Sequence, residues 1–269
     1  MTVTLLQQRT REQTNAVAAE MLALLPVGAL EQHGPHLPLG TDAIIVEQIA
    51  HRAAERLDGE VPILVAPTLA YGSSHHHLPY GATMSLSTST YFAVLKDLVE
   101  TLAVSGFRRV FILNGHGGNA ELVALVARDV STSHKIAVGG GSYWVIAGQA
   151  LSSVAASPRG ELPGHAGEFE TSLILALYPE LVEQARPSGE LPPPAQLATY
   201  RFGSPAPFRH PTGYSDSPAA GDGRRGAGYL ATCVESVADA LRDFHKRALP
   251  AADPCPSAAA QASPATELA

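Results

Sequence analysis

The chain has 269 residues with 45% hydrophobic and 16% charged content, which suits one large α/β domain with a sizeable core. A net charge of -7 excludes a basic nucleic-acid footprint, and two cysteines, Cys233 and Cys255, exclude a disulfide framework. No apolar run approaches the ~20 residues that span a bilayer, and the first residues lack a signal-peptide core, so the expectation is a cytoplasmic protein without membrane contact.

Residues 11–24 carry apolar groups at helical spacing, and LLPVGAL then reads as a short buried strand. Thr41 and Asp42 precede a long amphipathic helix pattern, AIIVEQIAHRAAERL, and VPILVAP reads as a second strand. A His-rich polar loop, YGSSHHHLPYGATMS, leads to a helix that Ser87, Thr88 or Ser89 can cap and Gly106 stops. RRVFILN is the clearest buried strand, NAELVALVARDVS is helical, KIAVGGGSYW opens as a strand and EFETSLILALY is a buried helix. This alternation predicts a parallel sheet covered on both faces. Residues 187–228 turn rich in Pro, Gly and Ser and read as a long excursion, followed by a closing helix, GYLATCVESVADALRDFHKRAL. Residues 1–249 are therefore expected to form the domain, and the Pro/Ala/Ser-rich residues 250–269 a disordered tail.

Three acid-and-histidine clusters sit where predicted strands run out, the place where open α/β sheets bind ligands. Glu31 and His33 flank Gln32 just past the first strand, on one side of an extended chain, and Asp42 returns after a loop. The alternative is a surface loop with Asp42 as a helix cap. In NGHGGN, glycines on both sides of His116 let the backbone approach a ligand closely; the spacing fits neither common phosphate loop. In GHAGEFETS, His165 precedes a helix, Glu168 lies in its first turn, and Glu170 is expected to face elsewhere. An acid at a helix N-terminus is favoured by the dipole in any case. Hard oxygen and imidazole donors without thiolate suit zinc, with manganese or ferrous iron as alternatives. Two ions sharing a carboxylate would activate water and polarise a carbonyl, and a spare histidine could protonate a leaving nitrogen.

The segments EQHGPHLPLGTD, YGSSHHHLPYGATMSLS, FILNGHGGN, GSYW and GHAGEFETSLILALYPELV resemble the creatininase (creatinine amidohydrolase) superfamily, in the family's order. The resemblance implies a single-domain α/β fold, a parallel-sheet three-layer sandwich. It also implies two divalent metal ions, amide-type hydrolysis of a small-molecule substrate, and a homo-oligomer, often a hexamer. Glu31, His33, Asp42 and His116 fall on the family's metal positions, with Asp42 as the bridge. His165 falls on the catalytic histidine, and Trp144 on an aromatic of the substrate pocket. Gly118 stands where creatininase has a ligand glutamate, so the fifth ligand is expected to move to Glu168, beside His165 in the catalytic group. Glu161-Leu162 stand where creatininase has a Trp-Asp pair, so creatinine itself is expected to be a poor substrate.

Members that share HGGN include a formamidopyrimidine deformylase, a peptidase-like member of mycofactocin maturation and a hydrolase of cyclic inositol-derived ketones. The alternatives to a small-amide hydrolase are thus a peptidase-like member that trims a modified peptide and a non-catalytic binding protein on the same fold. Of the run His75-His76-His77, His77 is expected to line the pocket or an interface, with a solvated loop as the bland reading. Tyr71 and Ser74 are expected to line the same mouth. His36, His51, His134, His210 and His245 are left structural, and Arg224 and Arg225 are read as surface charge before an anion contact.

Overall fold

The computed structural model describes residues 3–154, 162–188 and 212–248. Glu161, His210, most of the 187–228 excursion and the tail 250–269 lie outside the described residues.

Four strands form one parallel sheet in the order β2-β1-β3-β4: β1 (Leu22–Val27), β2 (Ile63–Val65), β3 (Arg109–Asn114) and β4 (Ala137–Ser142). After the short α1 (Arg11–Asn15), the helices α2 (Thr41–Arg56), α3 (Thr88–Val104) and α4 (Ala120–His134) connect successive strands. Then come α5 (Tyr143–Ile146), α6 (Gly148–Val154), α7 (Glu168–Leu177) and α8 (Gly223–Arg247). Two apolar clusters cover the two faces. Ile45 and Ile49 of α2 pack with Leu173 of α7 and Val237 of α8 on one side. Tyr91 and Leu95 of α3 pack with Val126 and Val130 of α4 on the other. This is the three-layer α/β sandwich the sequence pattern implies.

The sheet has a switch point. From β1 the chain crosses to β2 on one flank, and from β3 it crosses to β4 on the other. The carboxyl ends of the neighbours β1 and β3 therefore open onto a crevice, because their connections leave in opposite directions. Gly28–His33 and Gly115-His116 emerge there.

Two elements differ from expectation. The helical spacing over residues 11–24 yields only α1, and β1 begins at Leu22. Every residue of β1 is buried, since the strand pairs on both edges and is covered on both faces, so apolar spacing there reports burial and not a helix face. At the other end, α8 starts at Gly223, several residues before the predicted closing helix. Asp222 caps it by accepting from the Arg225 amide at 2.8 Å. A Cβ at Gly226 would lie 1.8 Å from the Ser172 carbonyl oxygen, so the glycines that read as loop are what let α8 press onto α7.

Close backbone approach also joins β1 to α2. A Cβ at Gly28 would sit 2.7 Å from both the Cα and the amide nitrogen of Ala43, and neither backbone atom can step aside alone. Gly28→Ala is expected to cost about 1–3 kcal/mol through overpacking, read as a lower urea midpoint with an unchanged m-value. A midpoint equal to wild type would show that α2 does not depend on this contact.

Candidate metal centre

Each site residue is held by a different element. Glu31 and His33 lie on the loop leaving β1, Asp42 in the first turn of α2, His116 just past β3, and Glu170 in the first turn of α7. All are buried, with His33 fully excluded from solvent. Asp42 is not a helix cap: Gly40 occupies that position and Asp42 lies inside the helix. Its carboxylate points into the crevice instead.

Asp42 sits between two imidazoles. Its Oδ1 lies 3.3 Å from His33 Nε2 and its Oδ2 lies 3.0 Å from His116 Nδ1. The far nitrogen of each ring is committed to a backbone carbonyl. His33 Nδ1 donates to the Glu31 carbonyl at 3.1 Å, and His116 Nε2 donates to the Ser73 carbonyl at 3.1 Å. A neutral ring so fixed turns its lone pair inward, the usual arrangement of a metal-ligating histidine. Four groups of possible ligand atoms result among the described residues, and two of them, Glu31–Asp42–His116 and His33–Asp42–Glu170, share Asp42; the others are Glu31–His33–His165 and Glu31–His76–His77. Glu31 Oε2, His33 Nε2 and Asp42 Oδ2 are buried with only one another's charged groups as neighbours, contacts that become hydrogen bonds only when the rings carry a second proton. Buried polar atoms rarely stay unsatisfied, and divalent cations would satisfy all three. The residues present thus fit a two-ion centre.

The fifth carboxylate corrects the sequence reading. Glu170, not Glu168, joins the cluster, with Oε2 3.8 Å from His33 Nε2 and 2.5 Å from the Ala166 amide that donates to it. Glu168 faces α8. It accepts from Ser172 Oγ at 2.8 Å and Arg225 Nε at 3.1 Å, with Tyr229 Oη 3.2 Å from its other oxygen. Two residues apart on a helix means two sides of it. The rotation of α7 follows from Arg225, which offers Glu168 a cation and leaves Glu170 for the crevice. Arg225, its side chain 40% exposed, is therefore a surface charge paired with the buried Glu168 and not an anion contact in the cavity.

The electrostatics follow from this crowding. Burial pushes the Glu170 carboxyl up to about 8 and the Glu31 carboxyl up to about 7, with nearby Asp42 adding to both. Burial acts against a charge on His33 and His116 too, but the carboxylates around them win and raise these rings to about 10 and about 9. Burial likewise opposes ionisation of Asp42, yet His33 and His116 hold it well below the usual carboxylate range. His36 is the contrast: burial drops it to about 4, and its Nε2 bonds Thr171 Oγ1 at 2.9 Å, the structural role expected of it.

A cavity of about 400 Å³ opens over the cluster, flanked by Trp144, His76, Gly164 and His165. His165 Nδ1 lies 3.6 Å from Glu31 Oε1, close to the ligands without joining Asp42. Another cleft, about 320 Å³ near Val61, is lined by Glu55, Asp58 and Glu60 with no imidazole among its described residues. Of three expected mouth residues, two lie away from the cavity. Tyr71 is 44% exposed and does not border the cavity over the cluster. Ser74 is buried, with Oγ 3.2 Å from His116 Nε2, so it helps hold that ring in place. His77 borders the cavity and also reaches into the cluster, stacked on His165 at 4.1 Å, with Nε2 3.2 Å from Glu31 Oε1. Sequence reasoning passed over Gln32, whose buried amide reaches both His77 and His165; its only signal was its place between two ligand positions.

The chain matches the creatininase family, described as creatinine amidohydrolase, over residues 7–241. It belongs to the creatininase family. It is 33% identical over 250 residues to the creatinine amidohydrolase of Pseudomonas putida, covering 86% of this chain and 92% of that one. It is 35% identical over 227 residues to the mycofactocin precursor peptide peptidase of Mycobacterium tuberculosis, covering 80% of this chain and 84% of that one. A solved structure of creatininase in a Mn form is similar to it with a TM-score of 0.74 at 30% identity, covering 92% of this chain and all of that one. No helix among the described residues is long and apolar enough to cross a membrane.

The raised rings give a signed pH effect. In the metal-free protein His33 and His116, near 10 and 9, carry protons at neutral pH, and Glu170, near 8, is largely protonated. Ligation needs all three deprotonated, so zinc binding should release protons and tighten from mildly acid to alkaline pH. Calorimetry in buffers of different ionisation enthalpy should show a buffer-dependent heat. A heat independent of buffer would contradict this charge assignment.

Proposed function

We propose that this protein is a two-metal amidohydrolase that cleaves a small amide, cyclic amide or formamide. The observation that carries the reading is Asp42, one carboxylate shared by two carboxylate–imidazole groups under a small cavity. Glu31, Asp42 and His116 would hold one ion, and His33, Asp42 and Glu170 the other. Divalent ions held there, zinc or manganese by the oxygen and nitrogen donor set, polarise a carbonyl and acidify water. The Mn form of a solved relative supports the metal dependence.

The chain's own residues supply the rest. His165 borders the cavity beside Glu31 and is placed to move a proton to the leaving nitrogen. Trp144 offers an apolar wall against which a flat amide can be oriented. A volume of about 400 Å³ suits a small molecule. Creatinine is expected to be a poor substrate. Leu162, at one of the two departing positions, packs against the apolar core and offers a ring no hydrogen bond. A site that lacks a partner for a substrate polar group loses strongly, because that group is buried unpaired.

The second reading is a peptidase-like enzyme that trims a modified peptide, supported by the 35% identity to a mycofactocin precursor peptide peptidase. A non-catalytic binding protein is disfavoured by the complete set of ligand side chains. The proposal extends to a cytoplasmic homo-oligomer, as in the family it resembles.

A hydrolysis screen of the zinc- and manganese-loaded protein over cyclic amides, formamides and short peptides tests the reading. A small amide or formamide should be turned over, with creatinine far behind. His165→Ala should lower that turnover by about 10²–10⁴-fold, the range for a lost acid–base group, with metal content unchanged. Turnover of peptides alone would favour the second reading, and efficient creatinine hydrolysis would contradict the specificity. An unchanged rate in the variant would remove His165 from the mechanism.

A further inference from the structure

The amide of Gln32 has one orientation available. Its Oε1 accepts from the Gly34 backbone amide at 2.9 Å, so its NH2 group must point the other way. That group lies 2.7 Å from His77 Nδ1. An amide nitrogen can only donate, so His77 Nδ1 holds a lone pair and the ring proton resides on Nε2. His77 Nε2 is the atom 3.2 Å from Glu31 Oε1, at hydrogen-bond distance from that carboxylate. The other oxygen, Oε2, lies 3.4 Å from His116 Nε2 and makes no hydrogen bond, and Glu31 has a carboxylate oxygen within ligand-sharing distance of Asp42 and His116. The Gln32 side chain has little room to swing. A Cβ at Gly213 would lie 2.0 Å from Gln32 Oε1, so the 212–216 segment sits directly on the amide.

We infer that Gln32 and His77 form a positioning relay: the amide fixes the tautomer of His77, and His77 donates to Glu31 so that the carboxylate presents Oε2 to the metal. Glu31, His76 and His77 place ligand atoms near one another, and by proximity alone could be taken for a further ion site. The relay rules that out for His77, because its Nε2 carries a proton and its Nδ1 is occupied by the amide. His77 is thus a positioning residue and not a ligand, at the floor of the cavity. The same relay accounts for a polar glutamine buried between two ligand positions. A group that orients a metal ligand in this way is commonly worth 10–100-fold in metal affinity.

The inference rests on Glu31 being a metal ligand, and the tests separate the two claims. In wild-type protein labelled with ¹⁵N-histidine and loaded with cadmium, His77 should show the Nε2-protonated neutral tautomer, without ¹¹³Cd–¹⁵N coupling. His33 and His116 should show that coupling. Coupling to His77, or a proton on its Nδ1, would overturn the relay. Absence of coupling at His33 and His116 would instead sink the metal centre.

Zinc affinity by chelator competition supplies the second readout. His77→Ala and Gln32→Leu should each weaken binding about 10–100-fold. His77→Gln should stay near wild type, since its amide can place an N–H where Nε2–H was. Gln32→Glu should move the His77 proton to Nδ1, because a carboxylate accepts where the amide donates. Equal affinity in His77→Ala and wild type, or a loss in His77→Gln as large as in His77→Ala, would show that His77 does not act through this hydrogen bond.

Discussion

A buried carboxylate between two imidazoles dictates the architecture around it. Asp42 has His33 Nε2 at 3.3 Å on one oxygen and His116 Nδ1 at 3.0 Å on the other, and all three side chains are buried. Charges cannot be taken out of water without compensation. In the metal-free state the compensation is protons, which is why both rings are held well above the normal histidine range. In the loaded state it would be cations. The loops that bring these residues together must therefore meet at one point, and the crevice between β1 and β3 is where they do. Gly115 makes the approach possible: a Cβ there would lie 2.7 Å from Val46 Cβ and 2.9 Å from the Asp42 carbonyl oxygen.

Much of this was legible in the sequence. Acids and histidines fell at the ends of apolar strand patterns, and the sheet delivers those ends to one place. Asp42, His33, Glu31 and His116 converge as their positions implied. Elements with one clear period, such as α3 after Ser87 or β3, matched their patterns. What failed was rotation and company. Glu168 and Glu170 were rightly expected to face opposite ways, but nothing local says which way α7 turns. That is decided by Arg225 and Tyr229 on α8, more than fifty residues on. The glycines before Tyr229 read as loop, because their use as a helix contact surface needs a partner, Ser172, that lies far away in the chain.

The α7–α8 seam shows how the site depends on contacts remote from it. Glu168 accepts from Ser172, Arg225 and Tyr229, and its own backbone amide donates to Asp216 Oδ1 at 2.7 Å. Ser215 Oγ accepts from the His165 amide at 2.6 Å. One short segment thus fixes the backbone of both His165 and the start of α7, and through α7 it fixes Glu170. Glu168 thus anchors the helix that carries Glu170 into the cluster.

The centre is tested most directly by anomalous diffraction from crystals of the zinc-loaded protein, collected on both sides of the zinc edge. Two peaks are predicted, bridged by Asp42, one also bound by Glu31 and His116 and the other by His33 and Glu170, with Glu168 still on Arg225. A single peak, or a peak on the Glu168 carboxylate, would contradict this account.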